Sequence, residues 1–286
     1  MPEVHVVEQL LKERSEGLRR HPRLWRLLQR VLLPVLGYQR AIDLVDSVQG
    51  LSGPEVFRHC SDLLELRLEH RGTENIPETG RGLVVANHPA GIADGIAVWE
   101  TLAHRREDIT LFANRDAIRM APGLAENIIP VEWLEENRTR ERQRETVRTM
   151  VKAFRDERLV VIFPSGRLAY MTWAGLTERP WKPTAVNLAQ KYDCPLIPMH
   201  IDARNSALFY FLSFVSDELR DITLFHELLN KTRQRYRMTI GEPIDASGDP
   251  KALTEMLKTY VTGDLAHGHL RIREPKLRTP EPATSA

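Results

Sequence analysis

Cysteine is scarce in this chain. Only Cys60 and Cys194 occur among 286 residues, far apart and in no CxxC. That excludes a disulfide scaffold and argues against a structural zinc site; a reducing compartment is the natural home. Long apolar runs are absent too: none reaches the roughly 18 residues of a membrane-spanning helix. Charge of one sign is not in excess. The net charge is +1, so no global field draws in nucleic acid. The opening "MPEVHVVEQLLKERSEG" is too acidic and too broken for a signal peptide. The chain is therefore expected to stay in the cytoplasm unless it adheres to a membrane surface. There is no internal repeat, and no GxSxG nucleophile elbow.

What is present suits one large domain, or one domain with an appendage: 42% of the residues are apolar and 28% charged, ordinary for a folded protein with a real core. Strand-like runs such as "GLVVAN", "DITLFAN", "RLVVIFPSGR" and "PLIPMHID" alternate with helix-like ones such as "IADGIAVWETLAHR" and "PTAVNLAQKYDC". Such alternation predicts an α/β fold, a mostly parallel central sheet flanked by helices. "LELRLEHRG" alternates like an edge strand. Residues 134–158 read as a long polar helix with Val147, Met150, Val151 and Phe154 facing the core, and 206–231 as helical throughout.

Basic side chains concentrate early, eight within residues 11–40 against two acids. There Leu24, Leu28, Val31 and Val35 share one helical face, while Arg23, Arg26 and Arg30 share another. Pro34 should kink or end that helix. A basic amphipathic helix carrying Trp25 fits an anchor lying in a membrane interface. The alternative is a helix whose apolar face packs on the rest of the protein. The expected division is 1–52 for the amphipathic N-terminal helices, 53–270 for the main domain and 271–286 for a disordered tail rich in Pro and small polar residues.

The stretch "LVVANHPAGIADGIAV" carries the chemistry. His88 follows a strand directly, and Asp94 falls near the start of the next helix. Reactive groups in α/β proteins gather at the carboxyl ends of strands. A carboxylate on one imidazole nitrogen fixes the tautomer and raises the basicity of the other, which can then take a proton from an attacking hydroxyl. This is the base and orienter of a hydrolase triad without a protein nucleophile, so the nucleophile would be the substrate's own hydroxyl or amine and the reaction a group transfer. Two other readings stand beside it: a helix-terminal Asp94 with an ordinary turn histidine, and a metal site, ranked last because no further His or Cys ligand lies nearby.

"NHPAGIADG" resembles the His-to-Asp motif of the glycerolipid acyltransferases, the lysophosphatidate type. The family commonly has four residues between the two; here there are five, Pro89 to Ala93. The wording is closer to a bacterial subgroup of hemolysin-like lysophospholipid acyltransferases, some of which take part in ornithine-lipid synthesis. Further blocks follow in the family's order: "GTENIP", "LFANRDAIRMAPGLAENIIPV", "VVIFPSGR", "PLIPMHI" and a closing segment "RNSALFYFLS…ELLNK…IGEPI". In the third block the family's Glu is replaced by Ser165, and the Arg sits one place early at Arg167.

The resemblance implies an O-acyltransferase with no cofactor and no metal, which moves a fatty acyl group from acyl-CoA or acyl carrier protein to a lysophospholipid, 1-acylglycerol 3-phosphate first. It implies His88 as general base, Asp94 as its orienter, and Arg115, Gly166 and Arg167 around the acceptor's head group, with Arg119 a weaker candidate. Backbone N–H groups around Gly91 or Gly166 are the expected oxyanion donors. The implied place is the cytoplasmic face of the inner membrane, as a peripheral protein without a transmembrane helix. Two alternatives remain open: a lyso-ornithine-lipid or other lysolipid O-acyltransferase, and a non-catalytic lipid-binding protein of the membrane surface.

Overall fold

The structure, a computed structural model, describes residues 4–132 and 137–272. Its centre is a seven-stranded sheet in the order β1-β9-β8-β2-β5-β3-β4. The strands are β1 Arg67–Arg71, β2 Gly82–Ala86, β3 Ile109–Asn114, β4 Ile128–Val131, β5 Leu159–Ile162, β8 Leu196–Asp202 and β9 Arg235–Ile240. All neighbours run parallel except β8 and β9. A small antiparallel hairpin, β6 Tyr170–Thr172 with β7 Gly175–Thr177, stands apart from it. The expected α/β architecture is the one observed.

Strands buried on both faces must be apolar throughout, and the innermost are. In β2, Leu83 and Val85 point to one layer, with helices Arg140–Arg155, Thr184–Tyr192 and Pro250–Thr262. Val84 and Ala86 point to the other, with helices Gly53–Leu64 and Ile92–Ala103. Each of the Leu and Val side chains stabilises by about 1.5–3 kcal/mol when withdrawn from water. Strand β1, read as an edge strand, lies at the sheet's margin with its arginines exposed. Helix Gly53–Leu64 starts with a capping box: Ser52 N–H donates to Glu55 Oε2 at 2.7 Å.

Several expectations need correction. The polar helix runs Arg140–Arg155 behind an N-cap at Thr139, and residues 133–136 lie outside the described ones. Met150 and Phe154 pack on the core as expected, but the first turn departs from the pattern. Val147 is exposed, and the Thr146 hydroxyl turns inward to the carbonyl of Pro130. The segment read as helical over 206–231 is three helices, Ala207–Val215, Asp217–Asp221 and Leu224–Leu229. Ser216 breaks the first junction in extended geometry while capping the helix that follows. The expected disordered tail lies, from residue 273, outside the described residues.

The N-terminal helices share the main core. Val7, Ala41, Leu44, Val45 and Val48 are buried in the same cluster as β2 and helix Ile92–Ala103. Two ion pairs fasten them further, Arg14 with Asp116 at 2.6 Å and Arg119 with Glu13 at 2.7 Å. Ahead of Pro34 the helix widens into a π-turn over Leu28–Leu32 and then continues to Val35. Proline supplies no N–H and crowds the carbonyl four residues back, and a widened turn relieves both. Leu33 and Leu36 pack inward, against Leu11 and Ile222. The face carrying Leu24, Val31 and Val35, joined by Leu27, points away from the protein, with Val35 71% exposed. Among the described residues no helix is long and apolar enough to cross a membrane.

Candidate active site

Parallel neighbours end side by side. Val85 of β2 is in register with Ile162 of β5, so the residues beyond each strand meet at the carboxyl edge. There the imidazole of His88 stacks on the ring of Phe163, with centroids 4.2 Å apart and planes 18° from parallel. Gly91 makes the turn into helix Ile92–Ala103 at φ 85° and ψ −130°, a conformation open to glycine. With five residues between them, the two side chains still meet across that turn.

Asp94 is fully buried, and one oxygen does most of its work. Its Oδ2 accepts from His88 Nδ1 at 2.9 Å, from Ala90 N–H at 2.8 Å and from Gly91 N–H at 2.9 Å. Three donors on one oxygen hold the carboxylate against the turn and leave the imidazole a single orientation. The His88 side chain is 12% exposed, and its Nε2 has no hydrogen-bond partner among the described residues. The exposed nitrogen of an oriented imidazole can accept a proton from a hydroxyl.

The main chain of His88 is held as tightly as the ring. Its N–H donates to Oε1 of Glu178 at 2.8 Å, and its carbonyl accepts from Ala169 N–H at 2.9 Å. Glu178 is itself buried; its Oε2 accepts from Trp181 Nε1 at 3.2 Å, and burial pushes its carboxyl up. Sequence reading missed both Glu178 and Phe163. The aromatic was legible as the residue after a strong strand. Glu178 gave no signal, because it reaches the site from a polar loop 90 residues along the chain.

The expected head-group residues take up different situations. Arg167 is exposed on the loop after β5, and its guanidinium meets no partner among the described residues. Gly166, at φ 61°, has open space where a side chain would be. Ser165 is buried and braces the loop, its hydroxyl donating to the Arg167 carbonyl at 2.7 Å. Arg115 lies beyond β3 and is already engaged, 2.7 Å from Glu145 and 3.9 Å from Glu132. Arg119 is tied to Glu13 and Asp116. The two glycines do not offer oxyanion donors of their own. The N–H of Gly91 goes to Asp94, and that of Gly166 to the Phe163 carbonyl at 2.9 Å.

A buried carboxylate and an imidazole with one free nitrogen, with no nucleophilic side chain bonded to either among the described residues, fit a site for group transfer. The comparisons agree. Residues 67–202 match the family model described as Acyltransferase, consistent with the glycerolipid-type resemblance carried by the sequence motifs. It is an O-acyltransferase. Two curated relatives each align over 220 residues, 73% of this chain. The lyso-glycine lipid O-acyltransferase of Phocaeicola vulgatus is 27% identical over 77% of its own length. The protein of the same name from Bacteroides thetaiotaomicron is 24% identical over 79% of its length. Among solved structures, the 1-acyl-sn-glycerophosphate acyltransferase PlsC of Thermotoga maritima is similar over 93% of this chain and 98% of its own, at 13% identity and a TM-score of 0.48.

Proposed function

We propose that the protein transfers a fatty acyl group from a thioester, acyl-CoA or acyl carrier protein, to the hydroxyl of a lysolipid with an amino-acid polar end. The observation that carries the reaction is the unpartnered Nε2 of His88 opposite an Nδ1 bound to buried Asp94. His88 takes the proton as the acceptor oxygen attacks the thioester carbonyl. The new C–O ester bond forms, the C–S bond breaks, and the proton passes to the departing thiolate. No acyl-enzyme forms.

The names of the two curated relatives support an amino-acid lysolipid as acceptor. A second reading, 1-acylglycerol 3-phosphate, draws on the free guanidinium of Arg167, a planar group suited to phosphate. Thioester release measured against lyso-glycine lipid, lyso-ornithine lipid and 1-acylglycerol 3-phosphate separates them. Acceleration by the amino-acid lipids alone supports the first reading, and acceleration by the phosphate ester alone replaces it with the second. No response to any acceptor leaves a non-catalytic lipid-binding protein.

The proposed workplace is a membrane surface, the cytoplasmic face of the inner membrane, where both acceptor and product reside. Leu27, Val31 and Val35 on the N-terminal helix and Phe211 and Phe214 on helix Ala207–Val215 are exposed, the last at 73%. Helix Asp217–Asp221, which follows the second of these, holds the short helix Glu16–Arg19 just ahead of the first: its Glu218 accepts from the N–H groups of Gly17 and Leu18 at 2.8 Å each. Exposed Arg23, Arg26 and Arg30 on the N-terminal helix suit anionic lipid. Co-sedimentation with anionic vesicles tests this, and an unbound fraction unchanged by vesicles rejects it.

A further inference from the structure

Glu178 has no evident reason to be buried except what it holds. Among the described residues it forms no ion pair and caps no helix, yet it is 9% exposed. Withdrawing a carboxylate from water is costly unless its oxygens find donors. Both do: one takes the N–H of His88, the other the indole N–H of Trp181. The excursion from Ala169 through the β6–β7 hairpin to Glu178 thus grips the main chain of His88 at two points. One end bonds the carbonyl, the other the N–H. Asp94 turns the ring and Phe163 sets its plane, but neither fixes the main chain that carries it. In the motif this sequence resembles, the family carries Glu where Ser165 stands here; the acid that reaches this corner comes from position 178.

We infer that Glu178 is a positioning residue for the acyl transfer, anchored by Trp181 and holding the His88 backbone where Nε2 meets the acceptor hydroxyl. The inference rests on the reading of His88 as general base. Displacement of a reacting group by about 1 Å costs on the order of 100-fold in rate, so releasing the His88 N–H should act on turnover and leave substrate binding alone.

The experiment compares Glu178→Ala, Glu178→Gln and Trp181→Phe, with His88→Ala as reference. It measures kcat and KM for the best acceptor of the lysolipid panel, together with melting temperature. Glu178→Ala should lower kcat by roughly 10- to 100-fold with both KM values within about twofold of the parent. Glu178→Gln keeps an oxygen for the His88 N–H and gives up only the Trp181 bond. It should recover to within about threefold of the parent, and Trp181→Phe, which frees the carboxylate from its anchor, should lose about two- to threefold in kcat. Parent-like kcat in Glu178→Ala overturns the inference. So does a Gln variant as slow as the Ala variant, or a loss expressed in KM. If Glu178→Ala does not fold, the Trp181→Phe variant still decides: a small kcat loss at constant KM supports the inference, and an unchanged kcat overturns it. Full turnover in His88→Ala would instead sink the base assignment beneath it.

Discussion

The His88 corner and the N-terminal helix are built on opposite terms. At the corner, three N–H donors meet one Asp94 oxygen, both main-chain groups of His88 are bonded, and the ring lies against Phe163. On the helix Pro22–Leu27 and the π-turn after it, apolar side chains stand in the open and no N-cap side chain forms a hydrogen bond. A proton must pass between atoms placed to within fractions of an ångström, so the first region is over-determined. In the proposed role at a bilayer, which has no fixed atoms to match, the second would need only an apolar face and a basic rim. On that proposal, chemistry is specified by hydrogen bonds, and delivery by what is left without partners.

Substitutions can break that contrast or sharpen it. The largest effect belongs to His88→Ala, expected to lower kcat by about 100- to 10,000-fold while calorimetry finds the fold intact. Asp94→Asn should follow closely, with a loss on the order of 100-fold or more because the tautomer is no longer dictated. Its cost in stability, from weakened bonds to Ala90 and Gly91, should stay near 1–3 kcal/mol. Parallel losses of turnover and melting temperature would instead reduce the carboxylate to a helix cap. On the other side of the comparison, Leu27→Glu with Val31→Glu should cut sedimentation with anionic vesicles several-fold at 0.1 M salt. Stability should change by less than about 0.5 kcal/mol per site, since neither side chain packs on the protein. The smallest effect is that of salt itself. Raising ionic strength from about 0.1 to 1 M shortens the screening length from about 10 to 3 Å. It should loosen vesicle binding and leave turnover of a water-soluble, short-chain acceptor unaffected.

Much of the fold was legible because β2 and β5 are continuous apolar runs between helical patterns, and β8 opens with one, Leu196–Met199. The pair His88 and Asp94 was legible because its spacing is local, and Gly91 supplied the one conformation the turn required. What escaped depends on distant chain segments. Strand β9 enters between β1 and β8 and runs against β8, which alternation of elements does not disclose. Arg115 looked available until Glu132 and Glu145 arrived from β4's end and the following helix. Glu178 sits in a polar stretch with no periodicity, and only the folded hairpin turns it toward His88. The amphipathic helix was read correctly as a pattern, but which face turned outward was decided by Leu33 and Leu36 finding Ile222.

The position of β9 also bears on how the chain is made. Strand β1 has a single partner, and that partner is the last strand of the sheet. A ribosome adding about 5–20 residues per second needs on the order of 10 s to go from one to the other. Throughout that interval the nascent polypeptide exposes an unzipped margin, and its barrel-stave neighbour does not yet exist. Pairing of β1 is thus a late step of synthesis, since its neighbour is the last strand of the sheet to leave the ribosome.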